Sequence, residues 1–150
     1  MNTNQINCIL KDESLFKGTY PCDNVPSTLV APFIIIINTA GKTHPGEHWV
    51  SLYVKRNRKG IYFDSYGLPP LVHQISAIIN YYCISCKYNA ITLQSTNKMS
   101  FTCGHYCVLF SIYMCRKVSF KNFIYLFSKN TFLNDYIVSK IVNDEFDCDK

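Results

Sequence analysis

GEHWVSLYVKRNRKGIYFDS, residues 46–65, decides the fold. Two apolar runs, His48 to Val54 and Gly60 to Ser65, flank the charged tip Lys55-Arg-Asn-Arg-Lys59. β-branched and aromatic residues dominate both runs, so the stretch predicts two strands joined by a tight hairpin. In an antiparallel pair the start of the first strand lies beside the end of the second. His48 and Asp64 then share one end of the ladder, within reach of each other. Just upstream, Phe33-Ile-Ile-Ile-Ile37 is a continuous β-branched run ending at Asn38. Such a run predicts a strand buried on both faces.

The rest of the chain surrounds these strands. Residues 4–16 predict a short helix with Ile6, Ile9 and Leu10 on one face. Gly18 to Ser27 is a turn-rich connection containing Pro21, Asp23, Asn24 and Pro26. Gly41 to Gly46 is a loop. Pro69-Pro70 open a helix to about Cys83, with Ile75, Ile78, Ile79 and Tyr82 at helical spacing. Tyr88 to Leu93 predicts another strand and Ser95 to Thr102 a polar loop. Cys103 to Cys115 is an apolar, central helix. Ser119 is placed to N-cap a helix carrying Phe120, Phe123, Ile124 and Phe127, and a last helix follows Thr131 with Leu133, Ile137 and Ile141. The expected class is α+β: a short mixed sheet flanked by helices, with a nucleophile at the N-terminus of the central helix, in one domain spanning residues 1–150.

Composition narrows the function. With 48% hydrophobic and 17% charged residues the chain is not a disordered one. The net charge of +5 is too mild for a histone-like binder, but its placement is uneven. Asp64 is the only carboxylate between His48 and Asn134, a span holding ten Lys or Arg. Asp144, Glu145, Asp147 and Asp149 crowd the last seven residues, an acidic tail expected to be a frayed, solvated end. Residues 1–9 lack the charged-then-apolar order of a signal peptide, and the longest apolar stretch, Val30 to Ile37, is eight residues. No membrane association and no secretion are expected. The eight cysteines are accordingly expected to be reduced thiols, metal ligands or catalytic groups.

Cys103 stands where a polar loop meets an apolar helix, a position that favours the thiolate. Gly104 beside it permits close approach of substrate or backbone. A cysteine nucleophile needs an imidazole for its proton and a third group to orient that imidazole. Of four histidines, His44 lies in a turn, His73 on the polar side of its helix, and His105 projects away from Cys103 on the same helix. His48, at a strand start, remains. Asp64 is then the orienting acid. An oxyanion formed on acyl attack needs donors, for which the backbone N–H of Cys103 and the side chain of Gln94 are the candidates.

Phe16-Lys-Gly-Thr-Tyr20, Asn38-Thr-Ala-Gly41, Gly46-Glu-His-Trp49, Tyr62-Phe-Asp-Ser-Tyr-Gly67, Ile91-Thr-Leu93 and Cys103-Gly-His-Tyr-Cys107 follow one another in order. Together they resemble the ordered motifs of the adenovirus-type cysteine proteases (adenain), within the wider clan of ubiquitin-like-protein proteases. The resemblance implies His48 as general base, Asp64 as orienting acid and Cys103 as nucleophile in an acyl-enzyme mechanism. It implies a viral endopeptidase of virion maturation, with capsid or precursor proteins as partners and small residues, often Gly, around the scissile bond. The implied location is the virion and the host-cell interior, nucleus or cytoplasm, and the implied state a monomer. Trp49 matches the family's Trp after the histidine and reads as a core or cleft-wall aromatic.

The chain also departs from that family. Gln94 lies farther before the cysteine than the clan's oxyanion Gln. Ala90 occupies the place of the cysteine that bonds an activating viral peptide, so no disulfide-linked peptide is expected there. The chain runs about 47 residues past Cys103, so a surface cradling a cofactor peptide is expected to be missing. No cofactor is required; DNA or a viral peptide is the candidate stimulator. Lys55 to Lys59, with Arg116, Lys117, Lys121 and Lys129, suggests weak, sequence-independent DNA contact beside the simpler reading of a solvated turn. Cys83-x-x-Cys86 resembles half of a zinc site that Cys103, His105 or Cys107 would complete, but buried thiols without metal are the favoured reading. Two other functions stand beside the endopeptidase: a deubiquitinase or deSUMOylase, and a non-catalytic DNA- or capsid-binding module.

Overall fold

Residues 33–37 are too apolar to leave either face of a strand in water, and the architecture follows from that. In the computed structural model, which describes residues 1–146 and 148, they form the middle of β2 (Phe33–Asn38), buried along its whole length. β1 (Phe16–Pro21) pairs parallel to β2 on one side, and β3 (Trp49–Val54) antiparallel on the other. β3 pairs antiparallel with β4 (Lys59–Phe63), and β4 parallel with β5 (Ser85–Tyr88). The spatial order β1-β2-β3-β4-β5 is also the order in sequence. The fold is α+β, a five-stranded mixed sheet flanked by helices.

Strand alternation sorts the side chains into two cores. Phe33, Ile35 and Ile37, with Val50, Leu52 and Val54, face α2 (His73–Tyr82), which buries Ile75, Ile79 and Tyr82 against them. Ile34, Ile36, Ile61 and Phe63 face α3 (Cys103–Cys115). Covered by the sheet on one side and by α1 (Thr3–Leu10), α4 (Phe120–Tyr125) and α5 (Thr131–Glu145) elsewhere, α3 buries residues all around its circumference. A helix apolar on every face is stable only in such a central position. Phe63 stacks on Phe110 of α3 at 4.9 Å, and Phe123 of α4 meets both rings edge-on.

Several boundaries differ from expectation. α1 ends at Leu10 rather than residue 16, and an Asn2–Gln5 capping box starts it. The turn-rich segment after Gly18 conceals β1, an edge strand whose pairing register shifts between Phe16 and Thr19 around a Gly18 of φ 128°. A Pro at the end of an edge strand breaks no ladder, so Pro21 did not forbid it. α2 begins at His73, past the two prolines. The strand expected over 88–93 lies earlier, at Ser85–Tyr88. From Asn89 the chain leaves the ladder, with Ala90 at φ 51°, and straps onto the end of β4: Leu93 N donates to Ser65 O and Thr92 Oγ1 to Tyr66 O. Ser119 does cap α4, accepting from Asn122 N.

The cysteine expectation also needs correction. Cys8 of α1 and Cys148 form a disulfide, Cα–Cα 6.2 Å, tying the two ends of the chain together; the other six are free. Of the acidic tail, Asp144 and Glu145 form the last turn of α5 instead of a frayed end, and Asp144 pairs with Lys140 at 2.9 Å. Asp147 and Asp149 lie outside the described residues. Among the described residues no helix is long and apolar enough to cross a membrane.

Candidate active site

The hairpin reading of residues 46–65 has a geometric consequence. β3 and β4 run antiparallel, so His48, just before β3, and Asp64, just after β4, meet at one sheet end. His48 Nε2 donates to Asp64 Oδ1 at 2.8 Å. The other hydrogen-bond partner of the ring is Cys103, the first residue of α3. Sheet and helix thus each contribute to a cleft of about 650 Å³ lined by His48, Trp49, Tyr66, Asn38, Phe101 and Cys103, among others.

Asp64 is held on every side. It is 4% exposed. Its Oδ1 also accepts from Tyr66 N at 2.8 Å. Asn89 grips its backbone, accepting from Asp64 N at 3.1 Å and donating to Asp64 O at 2.6 Å. Tyr66 stacks on the His48 ring at 4.8 Å and 27°. These contacts leave the carboxylate and imidazole one mutual orientation, and the tautomer with hydrogen on Nε2 turns Nδ1 away from the carboxylate.

Electrostatics favour an ion pair. Burial works against charge on His48, but its hydrogen bonds to Asp64 and Cys103 and the charges of both outweigh it and raise the imidazole to about 9. Burial likewise opposes the Cys103 thiolate. The His48 hydrogen bond, donation from the backbone of Trp49 and Gly104, and the His48 charge overcome that and lower the thiol from its ordinary 9.0. A lowered thiol beside a raised imidazole is the arrangement of an activated sulfur nucleophile.

Gln94 is not brought to the cleft. It is fully buried, its Oε1 accepts from Ser65 Oγ at 2.6 Å, and its Nε2 donates to Ser100 Oγ at 2.9 Å. With both ends of the carboxamide engaged, it ties the turn after Asp64 to the loop before Cys103. The backbone remains: Thr102 makes no side-chain cap, so the first N–H groups of α3 lack one. Trp49 stands in the cleft wall, Nε1 donating to Met1 O at 3.1 Å. Gly104 is closely packed, since a Cβ would lie 3.2 Å from Trp49 Cδ1 and 3.0 Å from Met1 Cβ, and either side chain would have to give way.

The other histidines stay apart from the thiol. His44 is on the exposed cleft rim and His73 is exposed on α2. His105 turns toward Val142 and Asn143 of α5. Among the described residues no three His, Cys, Asp or Glu side chains converge as metal ligands. Cys107 is fully buried, but Cys86 is exposed and Cys83 half-buried, unlike the buried pair expected.

Sequence reasoning missed three supports. Asn89 and Tyr66 fix Asp64 and His48, and neither residue type announces such a role. Asp135 of α5 lies one residue past Asn134, the end of the span whose only carboxylate is Asp64, and it accepts from Ser95 N, Ser100 Oγ and Tyr106 OH. Proximity in space, invisible in the linear charge count, brings it beside the loop that precedes Cys103.

No protein-family profile and no curated protein matches the chain. Solved structures do. A protease of African swine fever virus (ASFV) is 21% identical with a TM-score of 0.50, covering 71% of this chain and 42% of that one. This chain therefore spans under half the length of that protease. The central domain of an uncharacterized protein from Legionella pneumophila is 14% identical with a TM-score of 0.59, covering 97% of this chain and 95% of that one. At these identities the likeness is one of fold alone, the α+β fold described above.

Proposed function

We propose that this chain is a viral cysteine endopeptidase of the adenain type that processes structural or precursor proteins. The observation that carries the reading is the His48–Asp64 hydrogen bond at 2.8 Å, with Cys103 as the other partner of the same imidazole, inside an open cleft. Cys103 Sγ attacks the scissile carbonyl, and the first N–H groups of α3 face the negative charge that develops on its oxygen. Protonated His48 gives its proton to the leaving amine, and a thioester remains on Cys103. Neutral His48 then takes a proton from water, whose oxygen attacks the thioester and releases the acid and the thiol. Asp64 holds the ring and its tautomer throughout. The fold likeness to a viral protease supports this reading.

Wild type and Cys103→Ala are to be incubated with a Gly-containing precursor peptide and, separately, with ubiquitin- and SUMO-based electrophilic probes. Peptide cleavage lost in the variant supports the endopeptidase. Labelling by the conjugate probes alone assigns a deubiquitinase or deSUMOylase instead. No thiol reactivity in either assay leaves a non-catalytic module. Weak phosphate contact by the β3–β4 tip accompanies the proposal. There Lys55, Arg56 and Lys59 are the groups for DNA, while Arg58 is engaged with Tyr81 O and Tyr82 O.

A further inference from the structure

Cys83 and Cys86 lie outside the cleft, at the seam of α2 and β5. Cys83 follows the last residue of α2, and Cys86 sits on β5 opposite Gly60 in the parallel β4–β5 ladder. A Cβ on residue 60 would stand 2.5 Å from Cys83 Sγ and 3.1 Å from Cys86 Sγ. Both sulfurs therefore converge on the space that Gly60 leaves empty, and the two thiols are hydrogen-bond partners. Arg58 closes the site. Its Nε donates to Tyr82 O and its terminal nitrogen to Tyr81 O, each at 3.1 Å, which fixes the guanidinium at the C-terminus of α2 beside Cys83.

The two thiols are not equivalent. The hydrogen bond from Cys86 draws Cys83 below the ordinary thiol value of 9.0; burial opposes this and the Arg58 charge adds to it. Cys86 is pushed the other way by the same hydrogen bond and by burial. Cys86 is exposed and Cys83 partly so, so a small reagent can reach the pair. A zinc ion would need more ligands than two thiols, and among the described residues no third ligand joins them.

We propose that Cys83 and Cys86 form a redox-active dithiol that exchanges with low-molecular-weight disulfides of the glutathione class. The Cys83 thiolate attacks one sulfur of the small disulfide, breaking its S–S bond and expelling one thiolate. Cys86 then loses its proton to solvent and attacks Cys83 Sγ, and the second small thiolate leaves. The protein dithiol is oxidised by two electrons and the small disulfide is reduced to two thiols. Gly60 gives the sulfurs a common space, and Arg58 favours the attacking thiolate.

The test uses the whole chain as Cys103→Ala, which keeps the cleft thiol out of the exchange and reads mass rather than peptide cleavage. Reduced protein is equilibrated with mixtures of oxidised and reduced glutathione, acid-quenched, alkylated and mapped by mass spectrometry without reduction. The expected result is a peptide carrying both cysteines, unalkylated and two hydrogens lighter, which reverts with excess reduced glutathione. Adding Cys86→Ser is expected to stop the reaction at a glutathione adduct on Cys83. Adding Cys83→Ser is expected to slow adduct formation on Cys86 at least about tenfold, as a thiolate gives way to a thiol. Full alkylation of both thiols in every mixture overturns the proposal. So do equal adduct rates on the two single-thiol variants, or copurification of more than about half a mole of zinc per mole of protein.

Discussion

Tyr106 of α3 donates its hydroxyl to Asp135 of α5 at 2.8 Å, and the same carboxylate takes Ser100 Oγ and Ser95 N from the loop leading into Cys103. One side chain thus fixes the helix that begins with Cys103 and the segment before it. Asp135→Ala removes the acceptor of Ser95 N outright and leaves Tyr106 OH and Ser100 Oγ only their longer contacts to Leu93 O and Thr102 Oγ1. The expected loss is about 1–3 kcal/mol, read as a lower urea midpoint at unchanged slope.

Asp64→Asn tests the orienting acid. Asn presents an amide that can donate, so the Nε2–H tautomer of His48 loses its charged acceptor. Peptide turnover is expected to fall by about 10²–10⁴-fold, with the His48 titration followed by NMR moving down from about 9. Retention of wild-type turnover would remove Asp64 from the proposed mechanism.

Reactivity with pH follows from the two shifts. Because Cys103 is lowered from 9.0, its alkylation by iodoacetamide should rise with a midpoint below that value, and His48→Gln should move the midpoint up. Catalysis also needs the imidazolium, so turnover should decline on the alkaline side near pH 9. The sign for stability agrees. A histidine raised from 6.5 to about 9 contributes fully below pH 6.5, and that contribution is lost as pH climbs through about 9. The wild-type melting temperature, measured against His48→Gln, should show this decline.

Gly67→Ala tests the strap that follows Asp64. Gly67 has φ 71°, and a Cβ there would fall 2.4 Å from the Ile91 carbonyl carbon. Backbone atoms cannot rotate out of the way as a side chain can. A loss of at least about 2 kcal/mol is expected from calorimetry or denaturant unfolding.

Lys55→Ala with Arg56→Ala tests the basic tip. Fluorescence anisotropy should show wild-type affinity for duplex DNA falling as salt rises, and the double variant should bind more weakly with a shallower salt slope. DNA affinity that ignores salt, or is absent at low salt, ends that part of the proposal.

Strong local patterns made the core legible. The run at 33–37 could only be a doubly buried strand, residues 103–115 only a central helix, and the hairpin at 46–65 brings His48 against Asp64 by its antiparallel pairing alone. Weak patterns failed. β1 is an edge strand with Gly and Pro, and residues 91–93 look like a strand while being held by single bonds to Ser65 and Tyr66. Gln94 illustrates the deeper limit. Residue type and spacing suggested a donor at the cleft, yet the direction of its carboxamide was decided by Ser65 and Ser100, partners that no spacing rule couples. The Cys8–Cys148 disulfide, joining residues 140 apart, was beyond any local signal.

The sequential order of the strands has a consequence for when the cleft can exist. Each strand of the sheet pairs with a neighbour synthesised just before or after it, so the sheet can grow in step with the ribosome. His48 and Asp64 are in place once β4 has paired. The sulfur arrives later, at the start of the helix that fills one face of the finished sheet, and its loop is fastened only when Asp135 emerges. A nascent chain therefore carries the His48–Asp64 pair before the Cys103 thiol is in place. The thiol meets its imidazole only after the whole sheet and the start of α3 have left the ribosome.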